Sequence, residues 1–155
     1  MLINRMALRT QVEINAPAER VWSIMGNLKE WGSFNSFLKI EDVPDTLEPG
    51  RPLRVHLNPP GHSKPTLMTP QVVNYVPGTE LRWRGKLMGS NLFFVGEHFF
   101  TLQPVGPDKT LLLHGEDFKG CLVPLLGGLL ADTRKGFEEF NQGLKKAVEE
   151  GVEAK

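Results

Sequence analysis

The stretch that most restricts what this chain can fold into is its last thirty or so residues, Cys121 to Glu150. Apolar or small side chains fall at Leu126, Leu130, Thr133, Phe137, Phe140, Leu144 and Ala147, in steps of four and three. That spacing lines up one face of an α-helix. The opposite face reads Asp132, Lys135, Glu138, Glu139, Gln142, Lys145, Lys146 and Glu149, all suited to water. A helix from about Leu125 to Glu150 would be about 39 Å long, enough to cross a small domain. Gly136 and Gly143 border the apolar stripe, and each costs about 1 kcal/mol against alanine inside a helix. Two uses would compensate: close packing of the helix on its partner, or room for a ligand. On the second, Gly136→Phe should reduce ligand capacity more than stability.

The rest of the chain supplies strands for such a helix to lie on. Leu8 to Ile14 alternates apolar and polar residues, the pattern of a strand with one buried face. Pro17 and Glu19 then suit the first turn of a helix carrying Val21, Trp22, Ile24, Met25 and Leu28. A second short helix over about Leu28 to Phe34 would carry Trp31 and Phe34. Strands follow at about Phe37–Val43, Pro52–Asn58, Leu67–Tyr75, Glu80–Leu87, Leu92–Gln103 and Thr110–Phe118. Between them stand Pro49-Gly50, Pro59-Pro60-Gly61, Pro77-Gly78, Gly89-Ser90-Asn91 and Gly106-Pro107-Asp108. Connections this short join antiparallel neighbours. Pro70 marks an edge or a bulge in its strand. The reading is α+β: a curved seven-stranded antiparallel sheet wrapped around a long C-terminal helix, with two short helices after strand 1. What such a sheet leaves unfilled against its helix is a cavity.

At 155 residues the chain fits one domain. Eighteen basic residues balance eighteen acidic ones, and no block of like charge points to nucleic acid or an anionic membrane. The single cysteine, Cys121, excludes an internal disulfide framework, fits a reducing compartment, and reads as a buried small residue. No run reaches the roughly 20 apolar residues of a membrane span, and Met1 to Arg9 lacks a signal peptide's apolar core. A cytoplasmic protein is the expectation. No pattern names a cofactor.

The stretch VEINAPAERVWSIMGNLKEWGSFNSFL resembles the opening of the START-like or SRPBCC superfamily, the helix-grip fold of the birch-pollen-allergen type. Val21-Trp22 and Trp31…Phe34-Asn35 carry that likeness. VVNYVPGTELRWRG, residues 72–85, is similar to the family's Pro-Gly turn and following strand. Residues 96–126 resemble the last hairpin and helix entry of polyketide-cyclase-like members. The resemblance covers nearly the whole chain and implies one ligand-binding domain over residues 1–155. It implies lipid- or polyketide-like ligands, with a cyclase or dehydratase activity in some members. No catalytic motif of the aromatase and cyclase members can be placed residue by residue here.

Parity says which side chains share a face. Leu112, His114, Glu116 and Phe118 form one set, and Phe94, Gly96, His98, Phe100 and Leu102 another. A hairpin near Gly106-Pro107 pairs His98 with Glu116 or with His114, according to register, and both bring the side chains within reach. Three readings stay open for His98, His114 and Glu116. They are a self-satisfied structural pair, a polar anchor for an apolar ligand, or acid–base catalysis or a metal site. His56 and His62 read as solvated. Trp83 is core or cavity wall, and Gly85 and Gly96 relieve crowding where the sheet bends. Phe93, Val95 and Phe99 make one strand apolar on its other face too, which points to a covered surface, an oligomer or a protein contact.

The leading expectation is therefore a binder of a hydrophobic or amphipathic small molecule. Its walls would be Trp83, Phe94, Phe100, Leu112, Phe118, Phe137 and Phe140, with space at Gly136, and His98, His114 and Glu116 would orient the ligand. A cyclase-, dehydratase- or hydrolase-type enzyme using the same three polar groups is the second. An accessory subunit with a filled interior is the third.

Overall fold

In the computed structural model, residues 4–87, 90–125 and 127–151 are described, so Leu126 of the helical stripe and Gly89 of the expected turn lie outside them. Strand β1 (Asn4–Ile14) leads into helix α1 (Ala18–Met25) and a 3-10 turn at Leu28–Ser33. Short strands β2 (Leu38–Glu41), β3 (Arg54–Leu57) and β4 (Thr66–Met68) follow, then β5 (Gln71–Val76), β6 (Glu80–Leu87), β7 (Ser90–Gly106) and β8 (Lys109–Gly120). A 3-10 turn at Val123–Leu125 precedes the long helix α2 (Gly127–Glu149).

All pairings are antiparallel, as the short turns require. The strands form a five-stranded sheet in the order β1-β8-β7-β6-β5 and a three-stranded sheet β2-β3-β4. The strand expected over Leu67–Tyr75 is divided at Thr69-Pro70, so that β4 pairs with β3 while β5 pairs with β6. Proline has no N–H for the ladder, and here its carbonyl accepts from Leu53 N at 2.8 Å instead. The segment around Pro52 bridges to Gln71 and stitches the two sheets together.

Helix α2 packs against β1, β8 and α1. Phe137, Phe140 and Leu144 are fully buried over the inward residues Leu81, Phe100 and Leu112 of the sheet. Removing a side chain of this size from water contributes about 1.5–3 kcal/mol. The 3-10 turn is anchored twice: Trp31 Nε1 donates to Met25 O at 2.7 Å, and Asn35 Nδ2 donates to Trp31 O at 2.7 Å. Asn35 Oδ1 in turn accepts from Leu38 N at 2.7 Å, launching β2. The Trp…Phe-Asn segment is thus a device for turning the chain back over the helix.

Both interior helical glycines serve close packing. A Cβ on Gly136 would collide with the Phe37 ring, and one on Gly143 with the Phe34 carbonyl. The room anticipated at Gly136 is taken by Phe37. On the outer face of β7, Phe93 stays exposed, whereas Phe99 has a cover from the chain itself. Phe99 lies between the guanidinium groups of Arg9 and Arg82, 5.0 and 4.7 Å from its ring centre, and packs on Gly115. Cys121 is half-buried rather than buried.

Candidate functional site

Register decides which groups meet. His98 lies directly opposite Glu116 in the β7–β8 ladder and opposite Trp83 in the β6–β7 ladder, while His114 lies opposite Phe100. The direct partner of His98 is therefore Glu116, with His114 on the diagonal. Both imidazoles still touch: His98 Nε2 is 2.7 Å from His114 Nε2, and His98 Nδ1 is 3.5 Å from Glu116 Oε1. His114 Nδ1 reaches Asn141 Oδ1 of α2 at 2.7 Å, and Asn141 Nδ2 donates to Thr10 Oγ1 of β1 at 2.9 Å.

Aromatic rings enclose the pair. His114 stacks on Phe137 at 4.2 Å with a 3° interplanar angle, and on Phe100 at 4.4 Å. His98 lies 4.6 Å from Phe137, 4.7 Å from Phe100 and 4.8 Å from Trp83. Phe140 and Trp31 close the next layer, with ring centres 4.9 Å apart. Among the expected wall residues, Trp83, Phe100, Phe137 and Phe140 thus gather around the histidines. Phe94 and Phe118 form a separate pair 5.5 Å apart, beyond Glu116. Leu112 belongs to another level, between Val12 and Leu102.

Glycines shape the end of the site where Glu116 lies. Gly85 and Gly96 are directly paired on β6 and β7. The Glu116 carboxyl occupies the volume a side chain at Gly96 would need, and the Met68 methyl lies 3.3 Å from a Cβ placed at Gly85. The glycines therefore make room for a carboxyl group and a flexible thioether arm. Of two surface depressions, of about 480 and 530 Å3, neither is lined by His98, His114 or Glu116, although Phe118 lines the smaller.

The environment keeps all three titratable groups neutral. Burial pushes the Glu116 carboxyl up to about 8, helped by the neighbouring Asp117 charge. Burial lowers His98 to about 3. His114 falls well below the ordinary imidazole value through burial and the facing His98, partly offset by its bond to Asn141. The 2.7 Å between the two Nε2 atoms leaves no space for a metal bound to both, since each Zn–N bond alone takes about 2.0 Å. Among the described residues no group of three His, Cys, Asp or Glu side chains is placed to hold a metal ion.

Thr10 and Asn141 belong to the site although neither figured among the expected site residues. Asn141 had a detectable signal: it falls four residues after Phe137 and three before Leu144, a polar residue inside the apolar stripe. Thr10 sits on the inward set of β1 with Leu8 and Val12. The other two histidines are held, not simply solvated: His56 pairs with Glu41 at 2.7 Å, and His62 ties the β3–β4 loop to Asp132 of α2 at 3.1 Å.

The family model described as polyketide cyclase / dehydrase and lipid transport matches residues 5–149. Among solved structures, an aromatase/cyclase from Streptomyces sp. R1128 superposes with a TM-score of 0.75 at 15% identity, covering 97% of this chain and 98% of that one. A START superfamily protein from Mycobacterium smegmatis gives 0.68 at 20% identity, covering 93% and 97%. Norcoclaurine synthase from Thalictrum flavum, in complex with a transition-state analogue, gives 0.67 at 17% identity, covering 97% and 98%. At these identities the structures establish a shared helix-grip fold. None of the curated proteins matches the sequence.

Proposed function

From membership of the polyketide cyclase / dehydrase and lipid transport family, to which this chain belongs, we infer that it takes up a hydrophobic or amphipathic small molecule between sheet and C-terminal helix. One observation carries the reading. Two neutral imidazoles are buried among aromatic rings and lead to a half-buried carboxyl, held neutral, that sits beside the paired glycines Gly85 and Gly96. The rings around the histidines are in contact, so the ligand's place is the outer level bounded by Glu116, Phe94, Phe118 and Met68. Met68 is a flexible side chain suited to yielding that space. Apolar contact supplies affinity there and Glu116 supplies orientation.

Native mass spectrometry of freshly purified protein, followed by solvent extraction, tests this directly. The expected result is a co-purifying apolar molecule whose occupancy drops in Gly85→Val, whose side chain competes with the Met68 methyl for the same space. A clean apo mass together with no uptake of the neutral dye Nile red would overturn it. That outcome would favour an accessory-subunit role, for which a ring-filled interior is the natural state.

A second reading is catalytic, a cyclase- or dehydratase-type reaction. It is favoured by a neutral carboxyl placed 3.5 Å from an imidazole nitrogen, an acid and a base side by side. It requires turnover of a polyketide-like substrate that is lost in both Glu116→Gln and His98→Ala.

A further inference from the structure

The hydrogen bonds behind Glu116 can be assigned a direction from one fixed end. The carbonyl oxygen of His114 only accepts, and Thr10 Oγ1 lies 2.6 Å from it, so the Thr10 proton goes there. The Thr10 lone pair then receives Asn141 Nδ2 at 2.9 Å. This turns the amide so that Oδ1 faces His114 Nδ1 at 2.7 Å. An amide oxygen cannot donate, so neutral His114 carries its proton on Nδ1 and a lone pair on Nε2. His98 Nε2, 2.7 Å away, must donate to that lone pair. Its single proton spent, His98 presents a bare Nδ1 to Glu116 Oε1 at 3.5 Å.

We propose that Thr10 and Asn141 are positioning residues that set the direction of this chain and leave Glu116 as a hydrogen-bond donor, so that the site selects a neutral acceptor group over a carboxylate. The inference rests on the proposed uptake of a small molecule. His98 and His114 are 2% and 0% exposed, whereas the Glu116 side chain keeps 15% exposure, so of the three titratable groups Glu116 is the one a ligand can reach. Glu116 Oε1 and His98 Nδ1 stand 3.5 Å apart, which leaves the acid proton able to turn to a ligand oxygen. The nearby cations Arg9, Arg82 and Arg84 are held in ion pairs with Asp117, Glu80 and Glu97. A carboxylate entering beside Glu116 would meet a second carboxyl group and no free cation from that set.

Two measurements on the full chain test this. Nitrogen-15 NMR of the imidazoles should show protons on His114 Nδ1 and His98 Nε2, with the other two nitrogens bare; the reverse assignment overturns the proposal. Calorimetric titration at pH 7 then compares 2-acetylnaphthalene with 2-naphthoate, which share a ring system and differ in the polar end. The ketone should bind at least about tenfold more tightly, and equal or reversed affinities overturn the preference. Glu116→Gln, whose amide still donates, should keep the preference, whereas Asn141→Leu should reduce it below about threefold. Should the buried Asn141 substitution fail to fold, Thr10→Val releases the amide to turn over and serves the same purpose. An undiminished preference in the folded variant overturns the positioning role. Uptake of neither probe overturns the ligand reading and the preference with it, while the imidazole spectrum still decides the direction of the chain.

Discussion

Three neutral groups at the centre of the fold impose a particular dependence of stability on pH. Folded Glu116 titrates near 8 against an ordinary value of 4.5, so between those limits the folded protein keeps a proton the unfolded chain has lost. Stability from this group falls as pH rises through that window, by at most about 1.4 kcal/mol per pH unit. The histidines act oppositely. Folded His98, near 3, refuses the proton that an unfolded imidazole takes below 6.5, so its contribution grows as pH rises from about 3 to 6.5. His114 is depressed in the same direction. Two imidazoles outweigh one carboxyl below 6.5, and above it the carboxyl acts alone, which places the stability maximum near pH 6.5. Glu116→Gln should flatten the decline from 6.5 to 8, as read by urea unfolding at a series of pH values. A wild-type profile already flat there would rule out a protonated Glu116. Gly136 gives a second residue-level prediction. Alanine would gain about 1 kcal/mol of helix propensity, yet its Cβ meets the Phe37 ring. A net loss of about 1–3 kcal/mol is expected on overpacking grounds, visible as a lower urea midpoint with unchanged slope.

At the scale of elements, the β7–β8 hairpin shows why the site was only half legible in the sequence. Alternation alone put His98, His114 and Glu116 on one face, and the ladder agrees. It could not choose the partner of His98, because the choice depends on the turn. Gly106 pairs with Lys109, which would set even-numbered residues against odd ones. One residue, Val105, is then bulged out, and Pro104 pairs with Thr110. That single extra residue brings His98 opposite Glu116. A one-residue slip moves every side chain to the other face. Deleting Val105 alone should leave cooperative unfolding intact, since every pair from Pro104 with Thr110 onward is kept, while deleting Val105 and Gln103 together should abolish it by shifting His98 off Glu116. Thermal unfolding followed by near-UV circular dichroism distinguishes the two. Pro70 was read as an edge or bulge; that it passes the chain from one sheet to another depends on backbone partners at Arg51 and Leu53, which no local pattern reveals.

Across the whole molecule, what periodicity exposes is the helix, the strands and their buried faces, since each is a local property. Long-range partners are not. Thr10 and Asn141 stand 131 residues apart, and their hydrogen bond depends on β1 and α2 being brought together. The same holds for the edge strand. All of β1 pairs with β8, from Asn4 with Gly120 to Ile14 with Thr110. Made on a ribosome at about 5–20 residues per second, the strand synthesised early waits for a partner that emerges many seconds later. Through that interval Leu8, Val12 and Ile14 have no sheet to lie in, which makes the newborn chain a client for whatever shields apolar segments at the tunnel exit.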